Sequence, residues 1–259
     1  MAGGLPGAAF ENLRNLQELS MSVNNFNGNL PESLFSLPRL KILVLSVNLF
    51  VEPIPISSSS GLISLEVLDL SNNYLNGTLP FSAFKSIGKL NVGRNQFSGS
   101  LPPSLFAPPH LKFLDLSFNN FEGPFPISLS SEPVPLEVLC LSGNNLSGAL
   151  PTEQETGLEG KITPSLCKLV YLRIIDLAHN KLSGSLPSCI GNISFNGDTD
   201  DQFFAPAFWA SDSYNSFYGL RDFTFATKGN FYTYGRSFFV LMSGIDLSAN
   251  MLDGEIPRS

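Results

Sequence analysis

Residues 65–80 read LEVLDLSNNYLNGTLP, and this stretch decides the fold. It is the cleanest copy of a template, LxxLxLxxNxLxGxLP. The template recurs around Asn24, Asn48, Asn73, Asn95, Asn119, Asn144, Asn180 and Asn250. Successive asparagines are 24, 25, 22, 24, 25, 36 and 70 residues apart, so the first six copies share a period of about 24 residues. Such a period predicts a chain built from stacked repeats.

Each template position has a physical role. In Leu68-Asp69-Leu70 the side chains of a strand alternate, so we expect both leucines to face inward and Asp69 to face outward. One repeat cannot bury its leucines alone, whereas stacked repeats can, with their strands joined in a parallel sheet. We expect the repeated asparagines to bond the backbone of the bend as a ladder. Gly77 and its equivalents should take positive φ, and Pro80 and its equivalents should prevent long helices.

The sequence therefore predicts an α/β repeat solenoid of the leucine-rich-repeat class. We expect a right-handed superhelix with a parallel β-sheet on its concave face and mostly 3₁₀ or extended segments on its convex side. Residues 1–195 are assigned to the repeats, with a partial first coil, and residues 242–259 to a last repeat. Residues 196–241 interrupt the period as an insertion that carries fourteen of the 29 aromatic residues. Such a composition favours folding back onto the solenoid, with a strand at Phe223-Thr224-Phe225 and a turn at Lys228-Gly229.

A second irregularity follows Asn144. Residues 156–162 read like the second half of a repeat whose strand half is absent. Either a deletion of about half a repeat or an irregular loop over 152–164 accounts for this. We expect local disorder or a flaw in the sheet around Thr152 to Gly160.

Composition excludes several classes of function. A net charge of -7 provides no basic field for nucleic acid. No apolar run reaches the roughly 20 residues of a membrane-spanning helix, and Met1 does not open a signal peptide. His110 and His179 are distant in sequence, and no nucleophile elbow, phosphate loop or zinc motif occurs. We therefore expect no enzyme activity and no cofactor or metal.

One group of outward residues predicts a binding patch. Lys89, Arg94, Lys112, Phe113 and Phe118 should cluster on the concave face as exposed aromatic rings beside cations. The alternative is ordinary variation of a solvated surface. Another outward column contains four aspartates, which we interpret as strand-surface residues and not as catalytic carboxylates: Asp69, Asp115, Asp176 and Asp246.

Cysteines and glycosylation sequons offer further candidates. Cys167 and Cys189 lie on equivalent arcs of successive coils, which favours a disulfide over two buried thiols. Cys140 is expected to be a lone thiol at an outward strand position. Three sequons are predicted in turns, where a glycan can project into water: Asn76, Asn145 and Asn192.

Residues near the C-terminus resemble one family. Leu252-Asp253-Gly254-Glu255-Ile256-Pro257 is similar to the extracellular plant repeat subtype. A second set of residues resembles the island junction of plant leucine-rich-repeat receptor-like proteins. It consists of Thr227-Lys228-Gly229, Tyr234, Ile245-Asp246-Leu247-Ser248 and Asn250. The resemblance covers nearly the whole chain.

The resemblance implies an extracellular solenoid of the plasma membrane, whose parent protein has one membrane helix. It implies binding of a peptide, protein or glycan ligand and of a leucine-rich-repeat co-receptor kinase, in defence or development. Carried over by position, the ligand and partner contacts are Lys228, Gly229, Tyr234, Asp246 and Ser248, although these residues would also serve to dock the island. Because family parts at both ends do not occur, we expect a truncated piece.

Two other functions stay open. One is a secreted enzyme inhibitor that resembles polygalacturonase-inhibiting proteins, against which the long island counts. The other is the ectodomain of a receptor kinase.

Overall fold

The structure is a computed structural model, and it describes residues 3–56, 64–126, 134–150, 166, 169–187, 190 and 244–253, together with the backbone of 223–227 and 230–234. Each coil contributes one short strand to each of two parallel sheets. In chain order the strands are β1 (Glu18–Ser20), β2 (Asn27–Asn29), β3 (Ile42–Val44), β4 (Leu49–Glu52), β5 (Val67–Asp69), β6 (Tyr74–Gly77), β7 (Lys89–Asn91), β8 (Gln96–Ser100), β9 (Phe113–Asp115), β10 (Asn120–Gly123), β11 (Val138–Cys140), β12 (Asn145–Ala149), β13 (Ile174–Asp176), β14 (Lys181–Gly184), β15 (Phe223–Thr227), β16 (Asn230–Tyr234), β17 (Gly244–Asp246) and β18 (Met251–Leu252).

The first sheet has the order β1-β3-β5-β7-β9-β11-β13-β17 and contains the LxL segments. Its leucines form the core: Leu68, Leu116 and Leu177 are fully buried. Among the described residues, the remaining arc of the coils carries one short α-helix, α1 (Glu32–Phe35), and 3₁₀ turns at Gly7–Ala9, Phe81–Ala83 and Pro103–Phe106. The predicted solenoid, with its parallel sheet and short 3₁₀ turns, is confirmed.

The second sheet was not predicted. It has the order β18-β14-β12-β10-β8-β6-β4-β2. Seven of its strands begin directly after a template asparagine, and β2 begins three residues after Asn24. Its inward residues continue the core, as in the stacked rings of Phe26 and Phe50, whose centroids lie 6.4 Å apart. The sequence signals this sheet weakly because only one apolar residue per strand faces inward.

The predicted asparagine ladder is present. The Asn119 carbonyl oxygen accepts a hydrogen bond from the Phe97 amide of the preceding coil at 2.9 Å. The Asn119 amide nitrogen donates to the carbonyl oxygens of Val92 and Leu116, at 3.0 and 3.1 Å. Each ladder asparagine thus joins two coils at the bend, where buried backbone groups would otherwise lack partners. Equivalent bonds recur at Asn48, Asn73, Asn95, Asn144, Asn180 and Asn250.

Both sheets run without a break across the two long gaps in the period. β11 pairs in register with β13 (Val138 with Ile174), and β13 pairs with β17 (Ile174 with Gly244). The strands that flank the first of these gaps thus pair directly, and the expectation of local disorder or a flaw around Thr152 to Gly160 stays a prediction. Residues 151–165 themselves lie outside the described part of the chain.

Within the insertion, β15 and β16 form an antiparallel hairpin in which Phe223 pairs with Tyr234 and Thr227 with Asn230. The predicted strand at Phe223–Phe225 is confirmed. Residues 228 and 229, where the turn was predicted, lie outside the described residues. The backbone of β15 approaches β17, so the hairpin lies beside the last coil. The boundaries 196 and 241 of the insertion stay a prediction.

Candidate ligand-binding surface

A column of left-handed residues lines the edge between the two sheets. In every coil the residue before the template asparagine has positive φ, from 51° at Phe118 to 65° at Gly143. The column consists of Val23, Val47, Asn72, Arg94, Phe118, Gly143, His179 and Ala249. We call it the rim column. Left-handed backbone is unfavourable for most side chains, so the ladder hydrogen bonds must hold each turn in place.

Arg94 and Phe118 are neighbours in the rim column. The Arg94 guanidinium carbon lies 4.4 Å from the centroid of the Phe118 ring, a cation–π contact. Arg94 is exposed and Phe118 is half-buried. The ring is a platform that orients the guanidinium group, whose N–H donors fit a carboxylate in a bidentate manner.

Lys89 and Phe113 occupy another position of the predicted patch, but they are not exposed. They are register partners on β7 and β9, and the Lys89 ammonium lies 5.1 Å from the Phe113 ring centroid. Lys89 is only 2 % exposed and Phe113 1 %. The expectation that these two side chains face water is therefore wrong, because strand neighbours cover each other. Burial lowers the pKa of Lys89 to about 7, although Asp69 and Asp115 oppose that shift.

Lys112 lies immediately before β9 and forms an ion pair with Glu137 at 3.3 Å. A similar pair joins Lys41 and Glu66 at 2.7 Å. Lys112 is thus part of a charged row beside the first sheet. Of the five residues in the predicted patch, Arg94 and Phe118 are the pair whose side chains contact each other and are accessible to a ligand.

The aspartate column has a structural role. In each case one carboxylate oxygen accepts a hydrogen bond from the backbone amide two residues later, as Asp69 does from Ser71 at 3.1 Å. Asn91 accepts the same bond from Gly93. These bonds stabilise the turn out of the first sheet. The Asp115 carboxyl also accepts from the Ser117 hydroxyl, and its burial raises its pKa.

The residues carried over from the family resemblance lie at the last coil. Asp246 ends β17 and is buried, and its Oδ1 accepts from the Ser248 amide at 2.9 Å. Ser248 is exposed. Tyr234 ends β16, of which only the backbone is described, and Lys228 and Gly229 lie outside the described residues. Since β15 approaches β17, the topology brings the hairpin and the Asp246 strand together.

Two of the three sequons are described, and both lie on strands. Asn145 begins β12 and is exposed, whereas Asn76 lies within β6 and is half-buried. Their predicted location in turns is wrong because the second sheet begins there. Asn192 lies outside the described residues. Glycosylation of any of them stays a prediction.

One of the three cysteines, Cys140, lies among the described residues. Cys167 and Cys189 lie outside the described residues, so their disulfide stays a prediction. Cys140 is a free thiol on β11, as expected, but it is buried and not accessible from outside. Burial raises the pKa of this thiol well above its usual value. A buried neutral thiol of this kind is chemically inert.

Comparison with known proteins agrees with the repeat and its geometry. The Leucine Rich Repeat family model matches residues 15–37, 64–85, 110–131, 135–153 and 171–193. Receptor-like protein 35 of Arabidopsis thaliana is 34% identical over 249 residues, which cover 93% of this chain and 24% of that protein. The chain belongs to the plant leucine-rich-repeat receptor-like proteins.

A second relative of the chain also belongs to this family. Receptor-like protein 18 of Arabidopsis thaliana is 30% identical over 272 residues, covering 94% of this chain and 30% of the relative. The chain thus spans less than a third of the length of each of these two relatives. Among the described residues, no helix is long and apolar enough to cross a membrane.

Solved structures with this fold include a plant receptor with its ligand bound. The Arabidopsis receptor kinase HAESA, in complex with the peptide hormone IDA and the co-receptor SERK1, superposes with a TM-score of 0.64. It is 30% identical in sequence, and the match covers 76% of this chain and 31% of that chain.

Sequence reasoning missed the rim column. Its signal was present, since Asn72 and Gly143 are residue types that tolerate left-handed backbone. The signal was hidden because valine, arginine and phenylalanine occupy the same position in other coils.

Proposed function

We propose that this chain forms part of the extracellular recognition surface of a cell-surface receptor-like protein. Its ligand is a peptide, protein or glycan, and its partner is a leucine-rich-repeat receptor kinase that signals in defence or development. The parent protein is anchored in the plasma membrane. Surface complementarity, and no catalytic step, accounts for this function. The family membership and the ligand-bound and co-receptor-bound state of HAESA support the proposal.

The observation that carries the proposal is the exposed guanidinium group of Arg94 stacked on Phe118. An arginine that is already oriented loses less side-chain entropy on binding, and a carboxylate matches its donors. We therefore assign a carboxylate-bearing ligand, such as a peptide with a free C-terminus, to the Arg94 side of the rim column. Lys89, Lys112 and Phe113, the other residues of the predicted patch, lie on or directly before the neighbouring strands β7 and β9.

The partner surface in this proposal is the last coil. Ser248 is exposed next to the buried Asp246, and the hairpin that contains Tyr234 lies beside the same strand. Together with Lys228 and Gly229, these residues form the co-receptor contact. Glycans at Asn145 and Asn76 would extend from the second sheet, away from the aspartate column, and a third would be attached at Asn192.

A display library of peptides with free carboxyl termini tests the ligand side. Peptides selected on the intact chain should bind Arg94→Ala at least tenfold more weakly, because a charge-assisted bidentate contact contributes about 1.5–3 kcal/mol. Amidation of the peptide C-terminus should weaken binding to the parent chain by a similar factor, but should not weaken binding to Arg94→Ala further.

Arg39→Ala is a matched control, since Arg39 is an exposed arginine outside the rim column. It should bind the selected peptides like the parent chain. Equal binding of every selected peptide to Arg94→Ala and to the parent chain would overturn the assignment of Arg94. Failure to enrich any peptide on the parent chain would count against a peptide ligand altogether.

A further inference from the structure

Two buried carboxyl groups are direct neighbours at the last coil. Asp176 on β13 and Asp246 on β17 are register partners in the first sheet. Elsewhere in the aspartate column a neutral residue separates the carboxylates: Asn91 lies between Asp69 and Asp115, and Cys140 follows Asp115. Adjacent strands are about 4.8 Å apart, so Asp176 and Asp246 are the one pair of aspartates on adjacent strands in the described part of this column.

Hydrogen bonding leaves one oxygen of this pair without a partner. Asp176 Oδ1 accepts from the Ala178 amide at 3.1 Å, and Asp246 Oδ1 accepts from the Ser248 amide at 2.9 Å. Asp246 Oδ2 is buried and has no hydrogen-bond partner among the described residues. Asp176 is 1 % exposed and Asp246 6 %. A buried carboxylate oxygen without a donor is costly, whereas a proton there supplies one.

The surroundings do not compensate the charge of Asp176. Burial is the main reason that its pKa is raised to about 7, and the negative charges of Asp246 and Asp115 raise it further. Hydrogen bonds from the Ser142 hydroxyl and the Ala178 amide only partly oppose the shift. Among the other titratable groups nearby, Cys140 is a buried neutral thiol and His179 is exposed on the rim. Arg173, three residues before Asp176, is not among the groups that shift this pKa.

We propose that Asp176 and Asp246 share one proton in the folded chain, and that this proton holds the last coil against the coil before it. Two charged carboxylates on paired strands repel each other in a buried site, while a shared proton gives an O–H···O⁻ hydrogen bond between them. The last coil therefore docks more tightly in acid than in alkali. The proposal concerns the docking of β17 and does not depend on the ligand or partner assigned above.

The direction of the pH dependence follows from linkage. When β17 separates from β13, water solvates both carboxyl groups, and the pKa of Asp176 returns toward its ordinary value of 3.8. Between that value and about 7 the docked state holds a proton that the separated state has lost. Docking is thus fully stabilised below pH 3.8, the pKa of Asp176 in the separated state. It weakens as the pH rises to about 7, the pKa of Asp176 in the docked state.

Hydrogen exchange of the intact chain measures this docking directly. The amides of Leu177 and His179 donate to Asp246 and Ser248, and the amide of Gly244 donates to Arg173, so all three report separation of β17. After correction for the intrinsic exchange rate, their protection should fall by up to about tenfold per pH unit between pH 4 and 7. It should change little above that window.

Asp176→Asn is the decisive variant, since Asn91 shows that an asparagine fits this column and keeps the amide bond. Its side-chain amide can donate to Asp246 Oδ2 without titrating. The three amides should then have protection that is independent of pH. Asp69→Asn is the matched control, because Asp69 is equally buried but has Val44 and Asn91 as neighbours. It should retain the parent's pH dependence.

Persistence of the parent's pH dependence in Asp176→Asn would overturn the proposal, as would equal protection of the parent chain in acid and alkali. A second measurement needs no variant. Carbon NMR of the aspartate carboxyl groups in the parent chain should show one group that titrates near neutral pH. Titration of every aspartate below about pH 5 would also overturn the shared proton.

Discussion

The ring of Phe118 lies on the bare backbone of Gly143. A Cβ at position 143 would stand 2.8 Å from Phe118 Cδ1, which is too close for two carbon atoms. Gly143 also has a φ of 65°, a conformation that glycine adopts without penalty. Because Gly143 has no side chain, the Phe118 ring of the preceding coil has room to lie there. That ring in turn supports Arg94, which lies one coil earlier.

Gly143→Ala tests this relationship. The variant adds both the left-handed penalty and the clash with Phe118, so we expect it to lower the free energy of unfolding by about 2–3 kcal/mol. Denaturant unfolding followed by circular dichroism measures the loss. Gly28→Ala is the control, because Gly28 has a φ of 75° but no atom within 4 Å of the added Cβ.

Gly28→Ala should therefore lose only the backbone part, about 1 kcal/mol. Equal losses in the two variants would mean that Phe118 moves aside freely. In that case the ring is not a fixed platform for Arg94.

The asparagine ladder should be strongest in the middle of the solenoid. Asn119→Ala removes the acceptor of the Phe97 amide and the donor to Val92, and both of these groups are buried. Leaving them unpaired should lower the free energy of unfolding by about 3 kcal/mol. The Asn24 side-chain amide donates to the carbonyl oxygens of Met21 and Ser22 within its own coil, and Asn24 is exposed.

Asn24→Ala is thus the matched control, and its loss should be below about 1 kcal/mol. Thermal unfolding of both variants measures the difference. A loss at Asn24 as large as that at Asn119 would show that the bonds within one coil dominate the bonds between coils.

Lys89 gives the chain a second pH dependence, opposite in sign to that of Asp176. Its pKa is lowered from 10.5 to about 7 by burial, so the unfolded chain binds more protons than the folded chain between these values. Stability should rise with pH in this window, by at most about 1.4 kcal/mol per pH unit. Lys89→Met removes the titrating group, and its stability should not rise in the window.

Denaturant unfolding at several alkaline pH values checks this slope. Lys85→Met is the control, since Lys85 is exposed, and it should keep the slope of the parent chain. A slope that survives in Lys89→Met would assign the effect to another group.

The sequence predicted the solenoid because its period places each leucine, asparagine and glycine in a fixed role. It did not predict that Lys89 and Phe113 are buried, because alternation tells which way a side chain points and not what its neighbours cover. Nor could it show that Asp176 and Asp246 lie on adjacent strands. They share a column in the repeat, but 70 residues separate them, and only the pairing of β13 with β17 makes them neighbours.

Glu52 occupies the position that glycine holds in the other coils, and it has a φ of 67°. A left-handed residue with a side chain is disfavoured by about 1–2 kcal/mol, while a glycine adds roughly 0.4–1 kcal/mol of entropy to the unfolded chain. Glu52→Gly should therefore raise the free energy of unfolding by about 0.5–1 kcal/mol, or a few degrees in Tm.

Glu52→Ala separates the backbone from the charge. It keeps the left-handed penalty and removes only the carboxylate, so its Tm should stay within about a degree of the parent chain. Differential scanning calorimetry of the three proteins provides the comparison. If Glu52→Ala gained as much as Glu52→Gly, the charge of this exposed residue and not its backbone would be the source of instability.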